Sequence, residues 1–126
     1  MNTSIQLAEI YQSALQLTCS IERWSESLSC RRLDIDGALA KATIDTVTAL
    51  GEAVSNCGHG RQQTMLGQAA SNLQTISALV DICGVLHLTA PVDLQGTRKI
   101  IRRLTQQIDG AKSAEPSPFV RNAVVR

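Results

Sequence analysis

Apolar side chains recur every three or four residues along most of this chain, and the spacing divides it into four segments. In the first, Leu7, Ile10, Ala14, Leu17, Ile21, Trp24 and Leu28 form a seam three heptads long, which predicts a helix from about Thr3 to Leu28. Tyr11 and Leu15 add a second strip beside it. A break is expected over Ser29 to Leu33, with Asp34 or Asp36 as the N-cap of a second helix. Leu39, Ile44, Val47, Leu50 and Val54 read as the apolar side of that helix. Thr43, Thr46 and Thr48 lower its intrinsic propensity, so packing has to hold it. Asn56-Cys57-Gly58-His59-Gly60 ends it, the two glycines offering positive-φ positions.

The third segment runs from near Arg61 to near Leu86. Leu66, Ala69, Leu73, Ile76, Val80 and Cys83 make one stripe, widened by Met65, Leu79 and Leu86. Thr89 then stands two residues before Pro91, a cap followed by a first-turn proline. The fourth helix is expected over Pro91 to Lys112, with Leu94, Thr97, Ile101, Leu104, Ile108 and Ala111 as its seam. Ala114-Glu115-Pro116-Ser117-Pro118 breaks the pattern. Four helices with short connections predict an all-α, up-down-up-down antiparallel four-helix bundle over residues 1–113. Residues 114–126 are expected to form a flexible tail, made sticky by Phe119, Val120, Val124 and Val125.

Composition supports helices over sheets. Of 126 residues, 44% are apolar but only Tyr11, Trp24 and Phe119 are aromatic, so small and aliphatic residues must fill the core. Charge is unevenly placed. Residues 1–60 carry four basic and seven acidic groups, a net of −3, while residues 61–112 carry six basic and three acidic groups, a net of +3. Between Gln62 and Val92 the only charged residue is Asp81. A solvated helix normally shows a charged face, so this third helix is expected to be covered on most sides, by its own bundle or by other copies. Glu9 interrupts the first apolar stretch with no basic segment before it, and no apolar run reaches the ~18 residues of a membrane span. A soluble cytoplasmic protein with reduced Cys19, Cys30, Cys57 and Cys83 is the expectation.

Catalytic patterns are sparse. Cys57, His59, Cys83 and His87 are zinc-ligand types, but twenty-odd residues at ~1.5 Å rise put roughly 30 Å between the two halves of the set. Asp34, Asp36 and Asp45 have no neighbouring histidine, and capping explains the first two more simply. There is no Gly-x-Ser-x-Gly elbow, and Gly58-His59-Gly60-Arg61 lacks the Lys-Ser/Thr pair of a phosphate loop. The chain is expected to be no enzyme, with no cofactor or metal. One cluster stands out: Arg98, Lys99, Arg102 and Arg103 form two i,i+4 rows outside the Ile101–Leu104 seam. Such a strip can hold RNA or DNA phosphates without reading sequence, and Arg61 at a helix start, with Arg31 and Arg32, would extend it. The other reading pairs the strip with acidic groups of a neighbouring copy. A scaffold or adaptor with no nucleic-acid role is the alternative function, favoured by the net charge of only +1.

The chain resembles the small four-helix-bundle proteins encoded in intervening sequences of bacterial 23S ribosomal RNA genes, related to the accessory variability determinant proteins of diversity-generating retroelements. The resemblance covers residues from about 5 to 112. It rests on Ile10-Tyr11-Gln12-Ser13-Ala14-Leu15, on the Gly58-His59-Gly60-Arg61 turn, on the small and aliphatic third helix, and on Leu86-His87-Leu88-Thr89. Where the family typically carries Asn-Ile-Ala-Glu-Gly before that turn, this chain has Val54-Ser55-Asn56-Cys57-Gly58. The resemblance implies a homopentamer of bundles with a basic surface for RNA or DNA. By analogy with the retroelement relatives, it also implies a reverse transcriptase as partner.

Overall fold

A computed structural model describes residues 3–55 and 58–112. The expectations for Asn56, Cys57 and the 114–126 tail lie outside the described residues. The described residues form four helices, α1 (Thr3–Arg31), α2 (Leu33–Val54), α3 (His59–Val85) and α4 (Pro91–Lys112). Each helix packs on its neighbour in sequence, α1 closes the ring against α4, and the diagonal pairs do not meet. This is the antiparallel up-down-up-down bundle that the spacing predicts.

Three of the four seams sit where the spacing puts them. The whole α1 seam from Leu7 to Leu28 is buried, as are the α3 stripe from Leu66 to Cys83 and the α4 seam from Leu94 to Ala111. The α2 seam differs in part: Leu39 and Leu50 are buried and Val47 packs against the core, as expected. Ile44 is 63% exposed and Val54 is also exposed, while Ile35, Leu39, Ala42, Thr46, Ala49 and Ala53 are buried. That stripe runs at spacings of four and three but is built largely of alanine and threonine, so large side chains misreport the phase. The buried Thr43 and Thr46 hydroxyls donate to the carbonyls of Leu39 and Ala42, both at 2.7 Å, which meets their polar need within the helix.

The connections are tighter than expected. The α1–α2 break is Arg32 alone, at φ −141° and ψ 80°, instead of the whole Ser29–Leu33 stretch. Asp34 and Asp36 lie inside the first turn of α2, and no side chain caps its start. Asp34 instead takes both fork bonds from Arg32, at 3.0 and 2.9 Å, and that guanidinium holds its carboxyl below the usual range. Gly58, at φ 86°, precedes α3, and Gly60 is helical, so only one of the two glycines uses the left-handed region. Thr89 is not the cap of α4. The Ala90 carbonyl accepts from Asp93 and Leu94, which makes Ala90 the entry residue, and the buried Thr89 hydroxyl has no partner among the described residues.

The end of α3 is a Schellman stop. The Leu88 amide donates to Cys83 and the His87 amide to Gly84, at 2.9 and 3.2 Å. His87 takes φ 55°, the position glycine usually fills, and buried Leu88 supplies the accompanying apolar contact. Leu86, expected to widen the α3 stripe, falls in this turn and is exposed.

A buried polar cluster fixes the α1–α4 contact. Trp24 Nε1 donates to Thr97 Oγ1 at 2.8 Å, and Ser20 Oγ lies 2.7 Å from the same oxygen. Thr97→Val keeps the shape and strands the indole N–H, so it should lower stability by about 1–3 kcal/mol. Ser20→Ala should cost less, because Trp24 keeps its acceptor. Denaturant midpoints followed by the fluorescence of Trp24, the chain's single tryptophan, check the order. At the Schellman position, His87→Gly should raise stability by roughly 0.5–1 kcal/mol by removing the left-handed penalty. His87→Val should lower it in the same assay.

Candidate nucleic-acid interface

Helix α4 has charged groups on one side and its seam on the other. The i,i+4 rows resolve into two flanks. In the Arg98/Arg102 row, Arg98 turns toward α3, where its Nη2 meets Asp81 Oδ1 at 3.2 Å. In the Lys99/Arg103 row, Arg103 turns toward α1, where its Nη2 donates to Gln16 Oε1. The strip therefore spans the outer face of α4 from one neighbour helix to the other.

The four cations are not equivalent. Arg98 is engaged by an exposed ion pair of the kind worth at most about 1 kcal/mol, which a stronger anion can displace. Arg103 is held by a neutral amide and keeps its full charge. Lys99 and Arg102 are exposed, with no hydrogen-bond or ion-pair partner among the described residues. Gln95 and Gln106, both exposed, lie on the same face and add neutral donors. The acidic residues of α4 sit aside: Asp93 lines a groove with Arg23 and Trp24, and Asp109 one with Gln74 and Ser77.

Arg61 does not join the strip. It lies in the first turn of α3, at the opposite end of the bundle from the α3–α4 turn, and its Nη2 pairs with Glu52 Oε2 at 2.7 Å. Gln63, two residues on, reaches the Ala111 carbonyl at the far end of α4. About eleven residues at ~1.5 Å rise thus separate the Arg61 level from Arg102, roughly 16 Å along the axis. Arg32 is likewise engaged, by Asp34, while Arg31 is exposed at the other end.

The zinc-ligand types stay apart. His59 opens α3 and Cys83 stands in its last turn, some 36 Å on at ~1.5 Å per residue. Among the described residues no three His, Cys, Asp or Glu groups are placed to hold a metal ion. Cys19 and Cys30 are exposed free thiols, and Cys83 is a buried one. Among the described residues no helix is long and apolar enough to cross a membrane.

No protein-family model, curated protein or solved structure matches the chain.

The sequence pattern missed a second feature, a groove of about 400 Å³ between α1 and α2. Glu22, Glu26 and Asp36 stand around its apolar floor of Ile21 and Leu39, with exposed Ile44 on one wall. Glu22 and Glu26 are i,i+4 neighbours on α1, and Asp36 joins them only when α1 and α2 pack.

Burial raises the Cys83 thiol above its usual range and shields its sulfur. In the native protein Cys19 and Cys30 should react with a thiol reagent within minutes at pH 8, whereas Cys83 should react only on unfolding. Peptide mapping of the labelled chain reads each cysteine separately.

Proposed function

We propose that the chain is a non-catalytic, self-associating helical-bundle protein that binds RNA or DNA phosphates through the outer face of α4. The observation that carries this reading is the exposure of Lys99 and Arg102 without partners among the described residues, beside an Arg103 paired there only to a neutral amide. Three uncompensated cations on one helix face form a phosphate-binding stripe. No aromatic side chain lies on that face, so the stripe would follow a backbone and would not stack on bases. The resemblance to intervening-sequence and retroelement accessory proteins points the same way. It makes a homopentamer, and a reverse transcriptase with its template, the partners to look for by copurification.

A scaffold without a nucleic-acid role is the second reading. It draws on Val85, Leu86 and Val92, all exposed around the α3–α4 turn, with Val85 76% and Val92 72% accessible. Isolated exposed apolar residues are common, but a local group marks a contact surface. Recovery of nucleic acid with no stoichiometric protein in a pull-down would count against that reading.

A salt series on a labelled DNA duplex separates the two. With three phosphates neutralised, log K should fall with log salt at a slope of about −2.7. Lys99→Ala/Arg102→Ala should shrink that slope to about −0.9 and weaken binding at low salt. Arg61→Ala, at the other end of the bundle, should leave both nearly unchanged. An affinity and slope indifferent to the double substitution would remove α4 as the site.

A further inference from the structure

The α1–α2 groove and the α4 face are complementary in charge, and each leaves an apolar side chain uncovered. The groove presents three carboxylates, Glu22, Glu26 and Asp36, around an apolar floor, and no basic side chain lines it. Glu22 and Asp36 have no ion-pair partner among the described residues. The exposed aliphatic side chain on its wall is Ile44, 63% accessible. A large aliphatic group in that position is costly in water and useful against a partner.

The matching surface lies on the same chain. Val92, Gly96, Lys99 and Arg103 follow one another at spacings of four, three and four, so they share one face of α4. Val92 is 72% exposed, and nothing lies within 4 Å of where a Cβ on Gly96 would stand. The face thus offers an apolar knob, a flat step and two cations, in that order. The spacings agree. Ile44 and Asp36 are eight residues apart on α2, about 12 Å, and Val92 and Lys99 are seven apart on α4, about 10 Å. With Val92 against Ile44, Lys99 comes level with Asp36, and α4 runs antiparallel to α2. Within one chain the two surfaces belong to different sides of the bundle, since α2 and α4 are diagonal and do not touch.

We infer that the α1–α2 groove receives the basic face of α4 from a second copy of the chain. The contact is heterologous: groove on one copy, helix face on the other. Repetition builds a closed ring or an open row, and both use the opposite charges of the two halves of the chain. This deepens the self-association in the proposed function and rests on it, while the competition that follows from it rests on the nucleic-acid reading. Lys99, Arg102 and Arg103 cannot serve a phosphate backbone and a neighbour's carboxylates together, so nucleic acid and self-association compete for the strip.

The test is a charge swap on the full-length chain, read as native mass by light scattering at low and at moderate salt. The wild type should exceed the 13.5 kDa monomer at low salt and shrink as salt rises. Glu22→Lys/Asp36→Lys and Lys99→Glu/Arg102→Glu/Arg103→Glu should each run as monomers, and an equimolar mixture of the two should regain an assembly. All five positions are surface ones, and circular dichroism with Trp24 fluorescence verifies the fold of each variant. If the groove variant loses its helical signal, Ile44→Lys replaces it. A wild type that is monomeric throughout, a groove variant that keeps the wild-type mass, or a mixture that stays monomeric overturns the inference. A DNA duplex added to the wild type should dissociate the assembly. If the duplex does not bind at all, the nucleic-acid reading fails and the charge-swap masses still decide the docking contact.

Discussion

Thr97 is the position on which this bundle turns. Three of its four helix contacts join consecutive elements and are held close by short connections. The fourth, between α1 and α4, closes the ring with no such help, and its partners Trp24 and Thr97 are 73 residues apart in sequence. Apolar packing alone would let two heptad seams slide by a turn at modest cost. A buried hydroxyl that accepts from Trp24 and meets Ser20 satisfies its partners in only one register. A slipped register would strand an indole N–H in the core, and that penalty gives the closing contact its specificity. The register of α4 then decides which of its residues face outward.

That dependence explains how the α4 strip is presented. With Thr97 locked inward, Ile101, Leu104 and Ile108 follow it into the core, and the rows of Arg98 and Lys99 are forced to the surface. Arg98 reaches Asp81, the single acidic group of α3, and Arg103 finds only Gln16 on α1. Helix α3, so poor in charge, has one carboxylate to offer the strip, and α1 offers an amide. Among the described residues the cations of α4 therefore remain largely uncompensated, because α3 offers one acid, which Arg98 takes, and Glu22 of α1 lines the α1–α2 groove instead. The carboxylates that would match them stand between α1 and α2.

The seams of α1, α3 and α4 were legible because their buried positions carry mostly Leu, Ile and Val. The α2 seam was legible only in part: Leu39 and Leu50 are buried and Val47 packs against the core, but Ile44 and Val54 look outward and alanine and threonine fill the remaining buried positions, where size is a poor guide. The caps failed for a similar reason. Asp34 and Thr89 are good capping types, but Arg32 claims the first, and α4 starts after Ala90, one residue past the second. At the candidate site, the pairing of Arg98 with Asp81 and the isolation of Arg61 depended on helix order and register, which local spacing does not contain. The charge-poor α3 was expected to be covered on most sides. Within the chain it buries one stripe and shows water an uncharged face that includes Thr64, Gln68, Ser71 and Thr75.

That face is less polar than its residue types suggest. The Thr64 and Thr75 hydroxyls donate back to the carbonyls of Gly60 and Ser71, at 3.0 and 3.4 Å, so part of their hydrogen-bonding capacity is spent inside the helix. Hydroxyls satisfied in this way can be tolerated in water or under a cover, and they impose no partner. The α1–α2 groove and the α4 face are the opposite case. Their charges favour particular partners, and Ile44 and Val92 reward contact over solvent. Under the proposed docking contact, the choice of partner falls to the charged faces. The neutral face of α3 adds tolerance of whatever lies beside it.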